Sequence, residues 1–272
     1  MPTQPELESI AREIRVAQEA VLQIEPFTAR VPGFDIPAAY AVADLMHAAR
    51  ISEGAVPVGR KIGFTNPDMW ASYGVREPIW ARLYDASVVH LDGDHGTCRL
   101  AGFAEPKVEP EIVFRLRSTP PAGAGPAQML ECVDWVAHAF EIVQSHFPGW
   151  RFQAADTVAD SALHAALLIG PRRDVGDLGE DPVAALERFS LALFCDGREL
   201  ERGRGSNVLG SPLSALAHLV SVLARQPAAA PLQAGEVVTT GTITRACSVR
   251  PGETWHSEVE GIGLPGLTVG FV

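Results

Sequence analysis

Apolar residues at Leu7, Ile10, Ile14, Ala17 and Val21 recur at three- and four-residue steps, which predicts an amphipathic helix over Pro5–Gln23, stopped by Pro26. Asp35 as N-cap and Pro37 in the first turn open a second helix, with Tyr40, Val42, Leu45, Met46 and Ala49 on it and Gly54 at its end. Beyond residue 55 the pattern changes to short β-type runs. Strands are expected at Val58–Phe64, Glu109–Phe114, Phe140–Gln144, Ala165–Ile169, Glu236–Thr240, Ala246–Arg250, Thr254–Glu260 and Leu267–Phe271. Two hairpins are expected, one around Asp92–Gly96 between Val88–Leu91 and Thr97–Phe103, the other around Asp196-Gly197. Helical patterns interrupt this series at Gln128–Ala137, Asp156–Ser161 and, behind the Ser211-Pro212 cap, as far as about Arg225. Thr65–Arg82 is a long connection in which Trp70, Tyr73 and Trp80 suit either a lid or a self-packed buried segment. Pro227–Pro231 is a short loop. This divides the chain into a helical cap, residues 1–55, and a β-rich catalytic domain, residues 56–272.

Composition narrows the class. With 272 residues the chain is long enough for a large core, and a net charge of -11 argues against nucleic acid or an anionic membrane as a main partner. No apolar run approaches the roughly 18–20 residues of a membrane span, and the polar N-terminus lacks a signal pattern. Cys98, Cys132, Cys195 and Cys247 are scattered without a C-x-x-C, as in a reducing compartment, so a cytoplasmic protein is expected.

Candidate chemistry centres on Lys107-Val108-Glu109-Pro110-Glu111-Ile112-Val113-Phe114. On a strand, Glu109 and Glu111 share a face, about 6–7 Å apart at Cα, and either bind a hard cation or form a solvated outer face. Pro110 suits a strand edge or a bulge. Glu141, among apolar neighbours, needs a partner, either a metal or an Arg or Lys. Lys61, in the Gly-lined VGRKIGF run, suits proton transfer with a pKa lowered by burial, a carboxylate contact, or edge-strand protection. Thr239-Thr240-Gly241-Thr242 offers hydroxyls and N–H groups to a carboxylate, or is a tight turn. Gly203–Asn207 is Gly-rich but lacks the Lys-Ser/Thr of a phosphate loop.

Read together, GRKIGFT (59–65), YGVREPIWARL (73–83), KVEPEIVF (107–114), FEIVQS (140–145), DTVADS (156–161), GRGSNVLGSPLSAL (203–216), LQAGEVVTTGTIT (232–244) and EGIGLPGLTVGF (260–271) resemble the hydratase and decarboxylase branch of the fumarylacetoacetate hydrolase superfamily. The resemblance implies an α+β fold, a mixed β-sheet roll with peripheral helices. It implies Mg²⁺ or Mn²⁺ held by Glu109, Glu111 and Glu141, with Lys61 catalytic and Thr242 and Asp160 binding substrate. It implies a small 2-oxo acid substrate and a homo-oligomer, with a related pathway enzyme as a further partner. The activity implied is that of a lyase on 2-oxo-enoic or 2-hydroxydienoic acids in aromatic-ring degradation. A hydratase comes first, then a 2-oxo-3-enedioate decarboxylase or an acylpyruvate C–C hydrolase. The last would carry a Glu-His pair on its lid, which Thr65–Arg82 lacks. Three positions depart from the branch: Ile79 stands where hydratases often have Asp, Ser161 where Asn is common, and His146 where Arg is common. The first leans toward decarboxylation, and the last favours short 2-oxo acids over diacids.

Overall fold

Two helix caps and a left-handed stop build the N-terminal region of the computed structural model, which describes residues 2–226 and 228–272. Helix α1 (Gln4–Ala20) follows Thr3 and ends where Val21 turns left-handed at φ +54, five residues before Pro26. A short α2 (Phe27–Arg30) precedes α3 (Ile36–Ser52), whose N-cap Asp35 accepts from the Ala38 N–H at 3.0 Å. The buried stripes of α1 and α3 pack around Phe27 and also onto Ile79, Ala81, Val143 and Val158, so they close over one end of the β structure.

The strands follow as β1 (Pro57–Gly63), then α4 (Trp70–Tyr73), β2 (Ile79–Tyr84), β3 (Val88–His90), β4 (His95–Cys98) and β5 (Lys107–Leu116). Next come α5 (Pro126–Glu131), β6 (Val133–Val143), α6 (Ala154–Ala159), β7 (His164–Ile169), β8 (Arg173–Asp174) and α7 (Pro182–Arg188). The remainder is β9 (Ser190–Cys195), β10 (Arg198–Arg204), α8 (Pro212–Arg225), β11 (Val237–Thr242), β12 (Cys247–Ser248), β13 (Thr254–Glu260) and β14 (Thr268–Phe271). The larger sheet runs β2-β1-β11-β5-β6-β7-β3, with β12 alongside β5 and β8 alongside β6; the smaller runs β10-β9-β13-β14-β4. Three pairings are parallel, β1 with β11, β3 with β7 and β4 with β14; the others are antiparallel, so this is the expected mixed α+β fold. One face of the larger sheet carries its own cluster, Leu83, Val113, Ala137, Ala139, Leu167, Ile169 and Val237. The other face, with Ile112, Phe114, Val136, Phe140 and Leu168, packs on α8 and the smaller sheet. Strands buried on both faces lose the alternating pattern of a half-exposed strand.

That loss explains the largest correction. The helix expected over Gln128–Ala137 stops at Glu131, and residues 133–137 begin β6, the longest strand among the described residues. Val133, Trp135, Val136 and Ala137 are buried on either face, and continuous burial carries no helix-or-strand signal in the sequence. The Asp92–Gly96 hairpin does not form either: β3 and β4 belong to different sheets, and the acidic residues carry the chain between them. The aromatic connection ends at Pro78, since residues 79–84 are β2; Trp80 is buried and stacked on Tyr40 with ring centroids 5.5 Å apart. Pro110 lies in central β5 and not at an edge. It is tolerated because the register of β11 shifts between Thr239 and Thr242, opposite Glu111–Val113. The Asp196-Gly197 hairpin forms as expected, both residues at positive φ. Of the 227–231 loop, Pro227 lies outside the described residues.

Gly59 sets the approach of β1 to β11: a Cβ there would lie 1.8 Å from the Val237 carbonyl oxygen. Helix α8 starts as expected, Ser211 Oγ accepting from the Ser214 N–H at 3.1 Å. With the turn before it, Gly205–Arg225 is long and apolar enough to cross a membrane by length and composition, contrary to the sequence reading. Its residues Leu213, Leu216, Leu219 and Leu223 are core positions against β strands, which accounts for the apolarity. Replacing Ser211 with Ala should lower unfolding stability by about 1 kcal/mol in a urea titration, with the fold otherwise retained.

Candidate metal centre

Regular pairing of β5 with β6 places Glu109 directly opposite Glu141 and Glu111 opposite Ala139. Alternation then puts all three carboxylates on one face, at the end of the sheet that the N-terminal helices cover. One carboxylate oxygen from each of Glu109, Glu111 and Glu141 lies within 4.8 Å of the others. Glu111 and Glu141 are fully buried, whereas Glu109 is partly open. Lys61 of β1 reaches across, its Nζ 3.0 Å from Glu141 Oε1 and 2.9 Å from the Ala162 carbonyl oxygen.

The two buried carboxylates are held in the same way. Glu111 Oε2 accepts from the Gly241 N–H at 2.8 Å, and Glu141 Oε1 is 2.7 Å from His164 Nδ1. Their other oxygens, Glu111 Oε1 and Glu141 Oε2, are buried with no hydrogen-bond partner among the described residues. An unpartnered buried carboxylate oxygen is costly, and three carboxylates facing one lysine leave excess negative charge. An all-oxygen donor set with this excess fits a hard divalent cation. The pKa pattern has the same origin. Burial and the Glu141 charge, opposed by Lys61, push the Glu109 carboxyl up to about 7. Burial together with Glu141 and Glu109 drives Glu111 well above the ordinary range. Glu141, despite its burial, is drawn down to about 2 by Lys61 and His164. For Lys61, burial lowers the pKa, but the charges of Glu141, Glu109 and Glu111 outweigh that and raise it, opposite to the lowering expected from burial alone.

The other expected site residues are arranged differently. Thr242 sits opposite Glu111, but its hydroxyl donates to the Thr244 carbonyl oxygen at 2.9 Å, which leaves it only lone pairs to offer. Asp160 is buried with both oxygens engaged, by Gln18 Nε2 at 2.8 Å and His146 Nδ1 at 2.8 Å. It therefore ties α1 to the turn before β7. In that turn Ser161, Ala162 and Leu163 all have positive φ, an uncommon run for residues with a Cβ. The turn aims the Ala162 carbonyl oxygen at Lys61. Ile79 is buried among the N-terminal helices, on the strand face it shares with Ala81, the cross-strand partner of Lys61.

Sequence reasoning missed two supports, His164 and His138, and read the N–H groups of the third, the Thr239–Thr242 turn with Gly241, as carboxylate binders without naming Glu111 as the carboxylate. His164 holds Glu141 and is itself held by Ser87 Oγ at 2.9 Å. His138 lies between the Glu111 carbonyl oxygen, 3.0 Å from Nδ1, and Ser257 Oγ, 2.8 Å from Nε2, and links the site strand to the smaller sheet; burial lowers its pKa to about 4. Gly241, at φ +95, has no room for a Cβ, which would lie 2.0 Å from Thr65 Oγ1. Its N–H serves the protein's own Glu111 carboxylate. Two histidines inside apolar runs were the available signal, and only strand register shows what they touch.

The chain has relatives among known proteins. The family model for the fumarylacetoacetate (FAA) hydrolase C-terminal region matches residues 77–269. The chain is 34% identical to 4-oxalocrotonate decarboxylase of a Pseudomonas species over 223 residues, 80% of this chain and 81% of that one. It is 33% identical to 2-keto-4-pentenoate hydratase of Burkholderia vietnamiensis, over 94% of both chains. Among solved structures, 4-oxalocrotonate decarboxylase from Pseudomonas putida G7, complexed with magnesium and adipate, superposes with a TM-score of 0.90 at 26% identity, covering 100% of this chain and 99% of that one. Fumarylpyruvate hydrolase from Pseudomonas aeruginosa, in complex with Mn²⁺ and pyruvate, shares the fold over 80% of this chain and 90% of that one, at a TM-score of 0.61 and 17% identity. The chain belongs to the fumarylacetoacetate hydrolase family.

Proposed function

We propose that this protein is a divalent-metal-dependent lyase on 2-oxo-enoic and 2-hydroxydienoic acids, acting as a hydratase. The observation that carries this reading is the Glu109–Glu111–Glu141 triad, in which buried Glu111 and Glu141 each keep an unpartnered oxygen, beside Lys61. The named relatives, hydratases and a decarboxylase, support the reaction class. Glu109, Glu111 and Glu141 would hold the metal, Mg²⁺ or Mn²⁺ being the ions that suit three carboxylates. When bound, the metal supplies Lewis acidity toward the oxygens of a 2-oxo acid.

The chain's own residues supply the rest. Lys61 uses two of its three protons on Glu141 and Ala162, and the third is available to a substrate oxygen. Its ammonium form would stabilise negative charge that develops on that oxygen and orient the substrate carboxylate. The left-handed Ser161–Leu163 turn fixes its position, and His164 with Ser87 fixes the Glu141 carboxylate. The helical cover of α1, α3 and α6 is apolar and limits water at the reacting carbons. A second reading, decarboxylation of a 2-oxo-3-enedioate, is favoured by Ile79, which brings no acid to the lysine side of the site.

The deciding assay follows 2-hydroxypenta-2,4-dienoate and 2-oxohex-3-enedioate by NMR with Mg²⁺ or Mn²⁺ present. Hydration of the first at a saturable rate is expected, with full loss in EDTA; turnover that survives EDTA excludes the metal reading. Glu109→Gln and Glu111→Gln should each weaken Mn²⁺ binding on the order of 100-fold, measured by the EPR signal of free Mn²⁺. Lys61→Met should reduce kcat on the order of 10²–10³-fold while Mn²⁺ affinity changes far less. A loss of Mn²⁺ binding equal to that of the Glu109 variant would make Lys61 a structural residue.

A further inference from the structure

Antiparallel pairing of β5 with β6 gives the carboxylate site an open end. Burial along β5 falls from Glu111, fully buried, to Glu109 and Lys107, both partly open. On β6 the same direction leads from Glu141, opposite Glu109, to Val143, opposite Lys107, and on to His146. Beyond Val143 the chain stays tied to the site. The Gln144 N–H donates to the Leu163 carbonyl oxygen at 2.8 Å, and the Leu163 N–H donates to the Asp160 carbonyl oxygen at 2.8 Å. These bonds seat the end of β6 on the Ser161–Leu163 turn, whose Ala162 carbonyl oxygen receives Lys61.

His146 carries an unspent ring nitrogen at this place. It is 1% exposed, and its Nδ1 lies 2.8 Å from Asp160 Oδ2. Its Nε2 is buried with no hydrogen-bond partner among the described residues. The other Asp160 oxygen accepts from Gln18 Nε2, so the carboxylate is held from both sides and fixes the ring. A carboxylate at Nδ1 selects the tautomer with the proton there and the lone pair at Nε2. Other groups around the site are already committed. His138 and His164 each engage both ring nitrogens. Lys61 donates to Glu141 and to the Ala162 carbonyl oxygen, and Thr242 donates to the Thr244 carbonyl oxygen. Leaving a buried polar nitrogen unpaired is costly. A buried imidazole that keeps a free lone pair, oriented by a carboxylate, has the form of a general base.

We infer that His146, oriented by Asp160, is the catalytic group that moves the proton of the hydrating water. This rests on the proposed function, which sets the C1–C2 end of the substrate at the glutamates and leaves C3 to C5 toward the open end. Nε2 accepts a proton from a water molecule as the water oxygen bonds to C4. The C3–C4 π pair becomes the C2–C3 double bond, and the C2–O π pair becomes an enolate lone pair beside Lys61. The imidazolium then returns its proton to C3 as the enolate reverts to the 2-oxo group. The elements of water are added across C3 and C4, and no oxidant or reductant takes part.

The half-reaction at C3 isolates this role. 2-Oxopentanoate has no double bond to hydrate, and the reverse of the last step exchanges its C3 hydrogens with D₂O, followed by NMR on the Mg²⁺-loaded protein. His146→Gln should slow both this exchange and the hydration of 2-hydroxypenta-2,4-dienoate on the order of 100-fold or more. Its affinities for Mn²⁺, by EPR, and for 2-oxopentanoate, by calorimetry, should stay within about threefold of wild type. In wild type with ¹⁵N-labelled imidazoles, 2-oxopentanoate should shift the Nε2 resonance of His146, assigned by its absence from the variant. Three results overturn the inference and leave metal-dependent hydration standing: exchange and hydration in His146→Gln within about threefold of wild type, an Nε2 resonance that 2-oxopentanoate does not move, or loss of 2-oxopentanoate binding in step with the loss of exchange. Wild type that binds Mg²⁺ yet neither hydrates the diene nor exchanges the C3 hydrogens overturns the proposed function and this inference with it.

Discussion

Concentrating three carboxylates in a buried space opposite one lysine is the constraint on which the rest of this structure depends. Glu111 and Glu141 are wholly inside, and buried charge on that scale persists only with close compensation. The fold provides part of it. Lys61 neutralises one charge, the Gly241 N–H and His164 each take one oxygen, and one oxygen each of Glu111 and Glu141 is left without a hydrogen-bond partner among the described residues. The excess negative charge that remains is what a divalent ion would balance. Stability and function are therefore linked at the same atoms.

Much of the surrounding architecture holds this arrangement. The β11 bulge admits Pro110 into a central strand and turns the Gly241 N–H toward Glu111. The Ser161–Leu163 turn, with its three positive φ values, presents the Ala162 carbonyl oxygen to Lys61, and Asp160 anchors the start of that turn to α1 through Gln18. His138 ties the Glu111 backbone to Ser257 in the smaller sheet. Backbone strain of this kind persists only where surrounding contacts over-determine it, and here those contacts come from the N-terminal helices and both sheets. The helical region at the N-terminus is thus part of the site's support as well as its cover.

The gradient of exposure along β5 gives the site a direction. The apolar cluster beyond Glu111 closes one end, and Lys107 on Trp150 stands at the other.

The sequence by itself determined the local features. Helix caps at Asp35 and Ser211, the Asp196-Gly197 hairpin and the glutamate spacing depend on contacts a few residues apart, which short patterns encode. Motif order gave the family. Tertiary structure alone decided what depends on strand register and long-range packing. Val133–Ala137 became strand because both faces are buried, and Asp92–Gly96 became a crossing between sheets. The pKa of Lys61 is raised because carboxylates from β5 and β6 surround it, which reverses the effect of burial alone. His164, His138 and Gly241 gained their roles from partners 23 to 130 residues away, a separation that no local pattern records.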